Sequence, residues 1–239
     1  MKGRKLLLSL ILGGIIILAL GYYFRPPGDF PSKQDILNQV PEAKTIQDII
    51  FLDDKHVYVP FVTNNNGRGF ALWVWRNGWN VISEGDTGEP RIWQVDPNNP
   101  DSYFILYNIH PADNIKSIKL YLLRGSYYSV SYGEHTYTPS IKKHVSQDVS
   151  EDTYGAIKLP NDWKQLLEGY SRISKQEKQQ LIYFSGPTLH FAWNAANEQG
   201  EEVKPEGTFG TGSSTTGHYI INPLDHISSE ELKQHNKKF

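Results

Sequence analysis

Hydrophobic and polar positions divide the chain sharply near residue 25. Leu6 to Phe24, LLLSLILGGIIILALGYYF, is uncharged and mostly aliphatic. As a helix rising about 1.5 Å per residue it reaches about 28 Å, enough to cross a hydrocarbon core. Lys2, Arg4 and Lys5 precede it, and Tyr22, Tyr23 and Arg25 stand at its far end, where interfacial side chains belong. The pattern predicts a signal-anchor helix over 1–24 with the lipid bilayer as its partner. The basic cluster places the N-terminus in the cytoplasm and everything after Arg25 outside. Ala19-Leu20-Gly21 also satisfies the small-x-small rule, and a cleavage after Gly21 would release the rest as a secreted protein. Both readings export the remainder. Pro26, Pro27, Gly28 and Pro31 predict a stiff linker over 25–33 that cannot continue a helix.

From residue 34 to 239 the pattern changes to short runs. Ser32 can cap a helix that Pro41 ends after Val40. Strand signals then follow at Ile49–Leu52, Val57–Val62, Phe70–Arg76, Trp79–Ser83, Arg91–Val95, Tyr103–Ile109, Ser117–Leu123 and Tyr127–Tyr132. Turn chemistry separates them, with Asn77-Gly78 the strongest hairpin signal. Further strands are expected at Leu181–Phe184, Leu189–Trp193 and Tyr219–Ile221. Ser174 with Glu177, and Ser228 with Glu231, have capping-box spacing, so short helices are expected to begin there.

A shift of 48 residues lays Val57–Ser83 over Ile105–Ser131, with Trp73 on Tyr121 and Trp79 on Tyr127. Each copy reads strand, loop, strand, tight turn, strand, which predicts a duplicated antiparallel β-meander in a sandwich or curved sheet. Phe70, Leu72 and Val74 point to one side of their strand and Ala71, Trp73 and Trp75 to the other. That strand must therefore be covered on both faces. The expected cover is a helix starting near Asp162, where Trp163, Leu166, Leu167, Tyr170 and Ile173 recur at helical spacing. The class is α+β, strand-dominant, with a few short helices behind an N-terminal transmembrane helix.

Composition narrows the functions. Three of the 24 basic residues precede the apolar run, leaving 21 against 26 acidic ones, a net charge of -5 for the rest. Such a domain gains nothing from counterion release, so nucleic acid is not an expected partner. There is no cysteine, hence no disulfide framework and no lipid-attachment site. Together with the absence of Asn-x-Ser/Thr, this points to a bacterial envelope.

Candidate chemistry is sparse. Glu84, Asp86 and Glu89 gather carboxylates in one loop, as a calcium site would, but without EF-hand spacing. Asp96–Asp101, DPNNPD, reads as consecutive turns. Glu84, Glu89, Asp96 and Glu134 are eligible for the carboxylate pair of a glycan hydrolase. His56, His110, His135, His144, His190, His218, His226 and His235 show no zinc spacing. Gly207–Gly217, GTFGTGSSTTG, lacks the lysine of a phosphate loop and reads as a mobile loop or binding lip. No catalytic, metal or cofactor-binding residue is assigned, and no cofactor is expected.

The aromatics are more suggestive. Trp75, Trp79, Trp93, Tyr127, Tyr128, Tyr132 and Tyr137 fall in the region of the repeat. Rings on an exposed β-surface suit the apolar faces of sugars and equally suit protein partners. The expected ligand surface is Trp75, Trp79, Trp93, Tyr127 and Tyr132. The sequence thus predicts a tethered, non-enzymatic binding domain at the cell envelope, with an envelope glycan or a membrane protein as partner. A glycan hydrolase and a structural subunit of a membrane complex are the alternatives.

Overall fold

The computed structural model describes residues 13–14, 26–179 and 188–234. Along the chain run α1 (Lys33–Gln39), β1 (Ala43–Ile46), β2 (Ile50–Phe51), β3 (His56–Thr63), β4 (Arg68–Trp75), β5 (Trp79–Gly85) and β6 (Arg91–Gln94). Next come β7 (Tyr103–Asn108), β8 (Ser117–Arg124), β9 (Tyr127–Ser131), β10 (Glu134–Thr138), β11 (Ile141–Asp148) and β12 (Tyr154–Lys158). The chain ends with α2 (Asn161–Gln179), β13 (His190–Ala196), β14 (Glu202–Val203), β15 (Ser213–Thr215), β16 (Ile220–Pro223), β17 (Asp225–His226) and α3 (Ser229–Gln234).

Strands dominate, and they build three sheets and a separate hairpin. The first sheet is ordered β1-β3-β4-β5-β15, with β2 also on β3. The second is β12-β7-β6-β16, and the third β11-β8-β13-β14. Pairing is antiparallel except where β17 joins β13 in parallel. Among the described residues β9 and β10 pair only with each other.

Alternation along each strand stacks these sheets. Phe70, Leu72 and Val74 of β4 meet Trp93, Phe104 and Leu106 of the second sheet. On the opposite face of β7, Tyr103, Ile105 and Tyr107 meet Ile118, Leu120, Leu122 and Trp193 of the third. The layers run α1, first sheet, second sheet, third sheet, α3. Ile36 of α1 and the C-cap residue Val40 cover Ala71 and Trp73, and Leu232 of α3 covers Tyr121, Leu123 and Ala192.

Two expectations about packing change here. β4 is indeed buried on both faces, but its Trp73 side is covered by α1 rather than by the helix near Asp162. α2 instead inserts Trp163 into the cluster between the second and third sheets, with Leu166 and Leu167 against it. The duplicated meander is also corrected. β3, β4 and β5 form one meander, whereas β7, β8 and β9 lie in three different sheets. The 48-residue similarity records matching strand lengths and turns. It does not fix pairing, because the Ile109–Lys116 connection carries β8 across to the next layer instead of folding back beside β7.

Local signals hold where chemistry is specific. Ser32 caps α1 in a reciprocal capping box with Asp35, and Ser228 and Glu231 do the same at α3. Asn77, at φ 57°, turns β4 into β5. α2 runs through Ser174 without a break, so that capping-box spacing starts nothing. The expected strand Leu181–Phe184 lies outside the described residues.

The linker is not a free spacer. Trp79 Nε1 donates to the Gly28 carbonyl at 3.0 Å. Phe30 packs edge-on against Trp79, Trp73 and Phe51, with centroids 4.9, 5.4 and 5.6 Å away. Gly28 and Phe30 therefore belong to the packed fold. Of the expected membrane span only Gly13 and Gly14 are described, both helical. Among the described residues no helix is long and apolar enough to cross a membrane.

Phe30→Ala should cost about 1–2 kcal/mol, since the ring is only part-buried, and should open Pro26–Pro31 to proteolysis. A melting curve and limited digestion of the full chain check this; unchanged cleavage would mean the strap is not held.

Candidate functional site

Beyond Arg124↔Ile141 the ribbon of β8 and β11 is interrupted on both strands, then resumes as β9 and β10 from Tyr127↔Thr138. Arg124 braces the break by donating from Nη2 to Pro139 O at 3.0 Å. The resumed ribbon is an arm about 17 Å long at the usual strand rise. Directly opposed residues share a face, so Tyr128 with Tyr137 and Val130 with His135 form one side. Tyr127, Ser129, Thr136 and Thr138 form the other. Tyr128 Oη lies 2.6 Å from His135 Nδ1. Tyr128, Val130 and Tyr137 are all at least half exposed.

The tip has an unusual backbone. Tyr132 and Gly133 both take positive φ, 50° and 82°, as a tight hairpin turn requires. Asparagine or aspartate normally fills the first of these positions, because a bulky side chain there strains the backbone. Here a tyrosine occupies it with its ring wholly exposed (107%). The fold gains no packing from this residue.

The five expected surface residues therefore do not share one face. Tyr127 and Tyr132 lie on the arm. Trp75 and Trp79 stack edge-on at 5.6 Å beside the docked linker, on the outer side of the first sheet. Trp93 is fully buried between the first and second sheets. Its alternation partner Ile92 faces the third sheet, so both sides of β6 are interior and Trp93 leaves the list. Tyr128 and Tyr137 complete the arm. The pattern YYSVS-YG-EHTYT, two alternating runs around a turn, is the sequence signal for it.

The glycine-rich segment is pinned to the body of the fold rather than loose. Asp86 accepts from Thr211 N and Gly212 N, both at 2.9 Å, and from Thr211 Oγ1 at 2.6 Å. Asp113 takes Gly207 N and Thr208 Oγ1. A side chain at Gly210 would run into the Asp86 carbonyl, so this glycine lets two backbones touch. β15 then closes the edge of the first sheet on β5. Burial pushes the Asp86 carboxyl up, but the Thr211 and Gly212 hydrogen bonds outweigh it and hold the carboxyl below its ordinary value.

The carboxylates proposed for sugar chemistry stand apart. Glu84, opposite Ala71, is on the α1 side of the first sheet. Glu89 lies 3.8 Å from the buried Arg91, whose guanidinium sits over the Phe70 ring in the gap between sheets. Asp96 accepts from Asn98 N within its own turn, and Glu134 is on the arm. Burial raises both Glu84 and Glu89; Glu42 adds to this at Glu84, while Arg91 opposes it at Glu89. Burial also lowers Arg91 to about 10.

Three of the histidines serve structure. His56 bridges Asp53 at 2.8 Å, His110 accepts from Ala112 N, and His226 packs edge-on to Trp193. Among the described residues no group of three or more metal-ligating side chains is placed to hold an ion. Comparison with protein-family models, curated proteins and solved structures finds no match.

A carboxyl whose folded pKa is raised binds its proton more tightly when folded, so its effect on stability worsens as pH rises from about 4.5. Glu84→Gln should thus raise the melting temperature at pH 7, and the gain should vanish near pH 4. Thermal melts across that range check the sign; a variant less stable at pH 7 would show that the Glu84 charge is favourably held.

Proposed function

We propose that this chain is a membrane-tethered, extracytoplasmic binding domain that works without catalysis at the cell envelope, and that the β9–β10 arm is its contact surface. The observation that carries the reading is Tyr132: a large ring in a strained turn, fully in solvent, backed by an aromatic face. A backbone outlier with no packing role points to use outside the fold, and contiguous exposed rings are characteristic of interaction surfaces.

The tether gives the arm its reach. With Leu6–Phe24 in the bilayer, the strap at Gly28–Phe30 fixes the first sheet within a few residues of the membrane surface. The arm springs from the third sheet, two layers further along the stack, which at about 10 Å per layer is about 20 Å away. Confinement near one surface raises the effective concentration of any partner there. A hydrolase would need two carboxyls, one with a raised pKa, facing a common space. The two raised carboxyls lie on opposite sides of the first sheet, which favours binding over hydrolysis.

Tyr132→Asn separates the two roles of the turn. It should leave the melting temperature unchanged or raise it, by up to about 1 kcal/mol in stability. It should also weaken co-sedimentation of the full chain with isolated envelope glycan at high salt. Undiminished sedimentation by Tyr132→Asn and Tyr137→Ala would contradict the arm as the contact surface.

A further inference from the structure

A second concave surface lies away from the arm. It is a cleft of about 660 Å³ between α2, the Asp96–Asp101 turns, the end of β6 and the β16–β17 corner. This volume falls within the range of small-ligand pockets. Its floor is apolar, made chiefly by Tyr103, Leu167 and Phe191. The wall of consecutive turns is knitted by its own hydrogen bonds and pinned to α2 through Lys164 and Asp101 at 2.9 Å.

The polar groups are arranged on a regular frame. Asn222 pairs with Ile92 and Ile220 with Gln94. Gln94 and Asn222 are therefore diagonal neighbours on one face of the second sheet, about 7 Å apart. That face is the one Ile92 turns to the core, so both amides look over the apolar floor. Among the described residues, neither these two amides nor the Asp225 carboxylate engages a side-chain partner, whereas the DPNNPD turns consume their own. Across the cleft, Glu168 and Arg172 pair at 3.8 Å on α2.

From these features we infer that the cleft binds a neutral, hydroxyl-rich oligosaccharide. Planar amides and a carboxylate present paired donors and acceptors to neighbouring hydroxyls. The part-exposed Phe191 ring in the floor suits the apolar face of a sugar ring. Among the cleft's charged groups Glu168 and Asp225 outnumber Arg172 by one, so an anionic sugar is disfavoured. This deepens the proposed binding role, on which it rests, by adding a sugar subsite separate from the arm.

The test titrates the full chain, in detergent, with a β-1,4-linked N-acetylglucosamine tetrasaccharide, followed by saturation-transfer NMR and calorimetry. The wild type should bind, and the Gln94→Ala, Asn222→Ala double variant should bind at least tenfold more weakly with its melting temperature retained. Asp225→Ala, at an exposed position, gives a second reading should the double variant melt early. Absence of tetrasaccharide binding, or binding indifferent to all three substitutions, overturns the cleft. Tetrasaccharide binding lost in the cleft variants but kept in Tyr132→Asn supports it. A wild type that fails to bind the tetrasaccharide while its arm-dependent sedimentation persists removes the subsite alone, and a wild type that binds it through the cleft while sedimentation ignores the arm substitutions removes the arm alone.

Discussion

Burial of the second sheet on both faces is the constraint on which the rest of the molecule depends. Every residue of β7 is buried, with Ile105 and Leu106 at 0% exposure and pointing opposite ways. Each such side chain contributes about 1.5–3 kcal/mol by leaving water, and neither can do so unless a sheet lies on its side. The first and third sheets are held in place by that demand. Two polar side chains fix the register of the first gap. Tyr58 donates to the Tyr107 carbonyl at 2.8 Å, and Asn108 Nδ2 reaches Gln47, Phe61 and Gly69. Burial without counterparts for these groups would be costly.

The outer layers solve a smaller version of the same problem. The exposed sides of the first and third sheets are closed by α1 and α3, helices of seven and six residues that place single apolar stripes. The strap from Gly28 to Phe30 completes the first of these covers. Gly28 and Phe30 are thus part of the hydrophobic architecture rather than a free linker. The arm lies outside this economy altogether. It extends a ribbon of the third sheet into solvent and buries almost nothing, so its rings, unlike the interior tryptophans, contribute little to the core.

How much of this was legible in the sequence depended on whether a residue's role is local. Strands with apolar runs, β3 to β8, were readable because burial on both faces leaves few polar positions. β10, β11 and β12 were not, because they are edge or solvent-facing strands whose residues, such as Lys142, Lys143 and His144, alternate without an apolar face. Caps at Ser32 and Ser228 were readable because a capping box is complete within four residues. The cover over Trp73, the layer taken by β8 and the convergence of Gln94 with Asn222 were not, since each depends on pairing between distant segments. Trp93 misled for the same reason. A tryptophan looks identical in sequence whether it serves a core or a surface, and only the inward orientation of Ile92 on its other side decides the matter.

Hydrogen–deuterium exchange of the full chain, read by mass spectrometry with and without isolated envelope glycan, tests the account most directly. The account predicts slowest exchange in Tyr103–Asn108 and fast exchange in Tyr127–Thr138, with protection of the arm appearing only when the glycan is added. An arm already protected in the free protein, or one whose exchange the glycan leaves unchanged while the chain sediments with it, would contradict the claim that this exposed ribbon is the working surface.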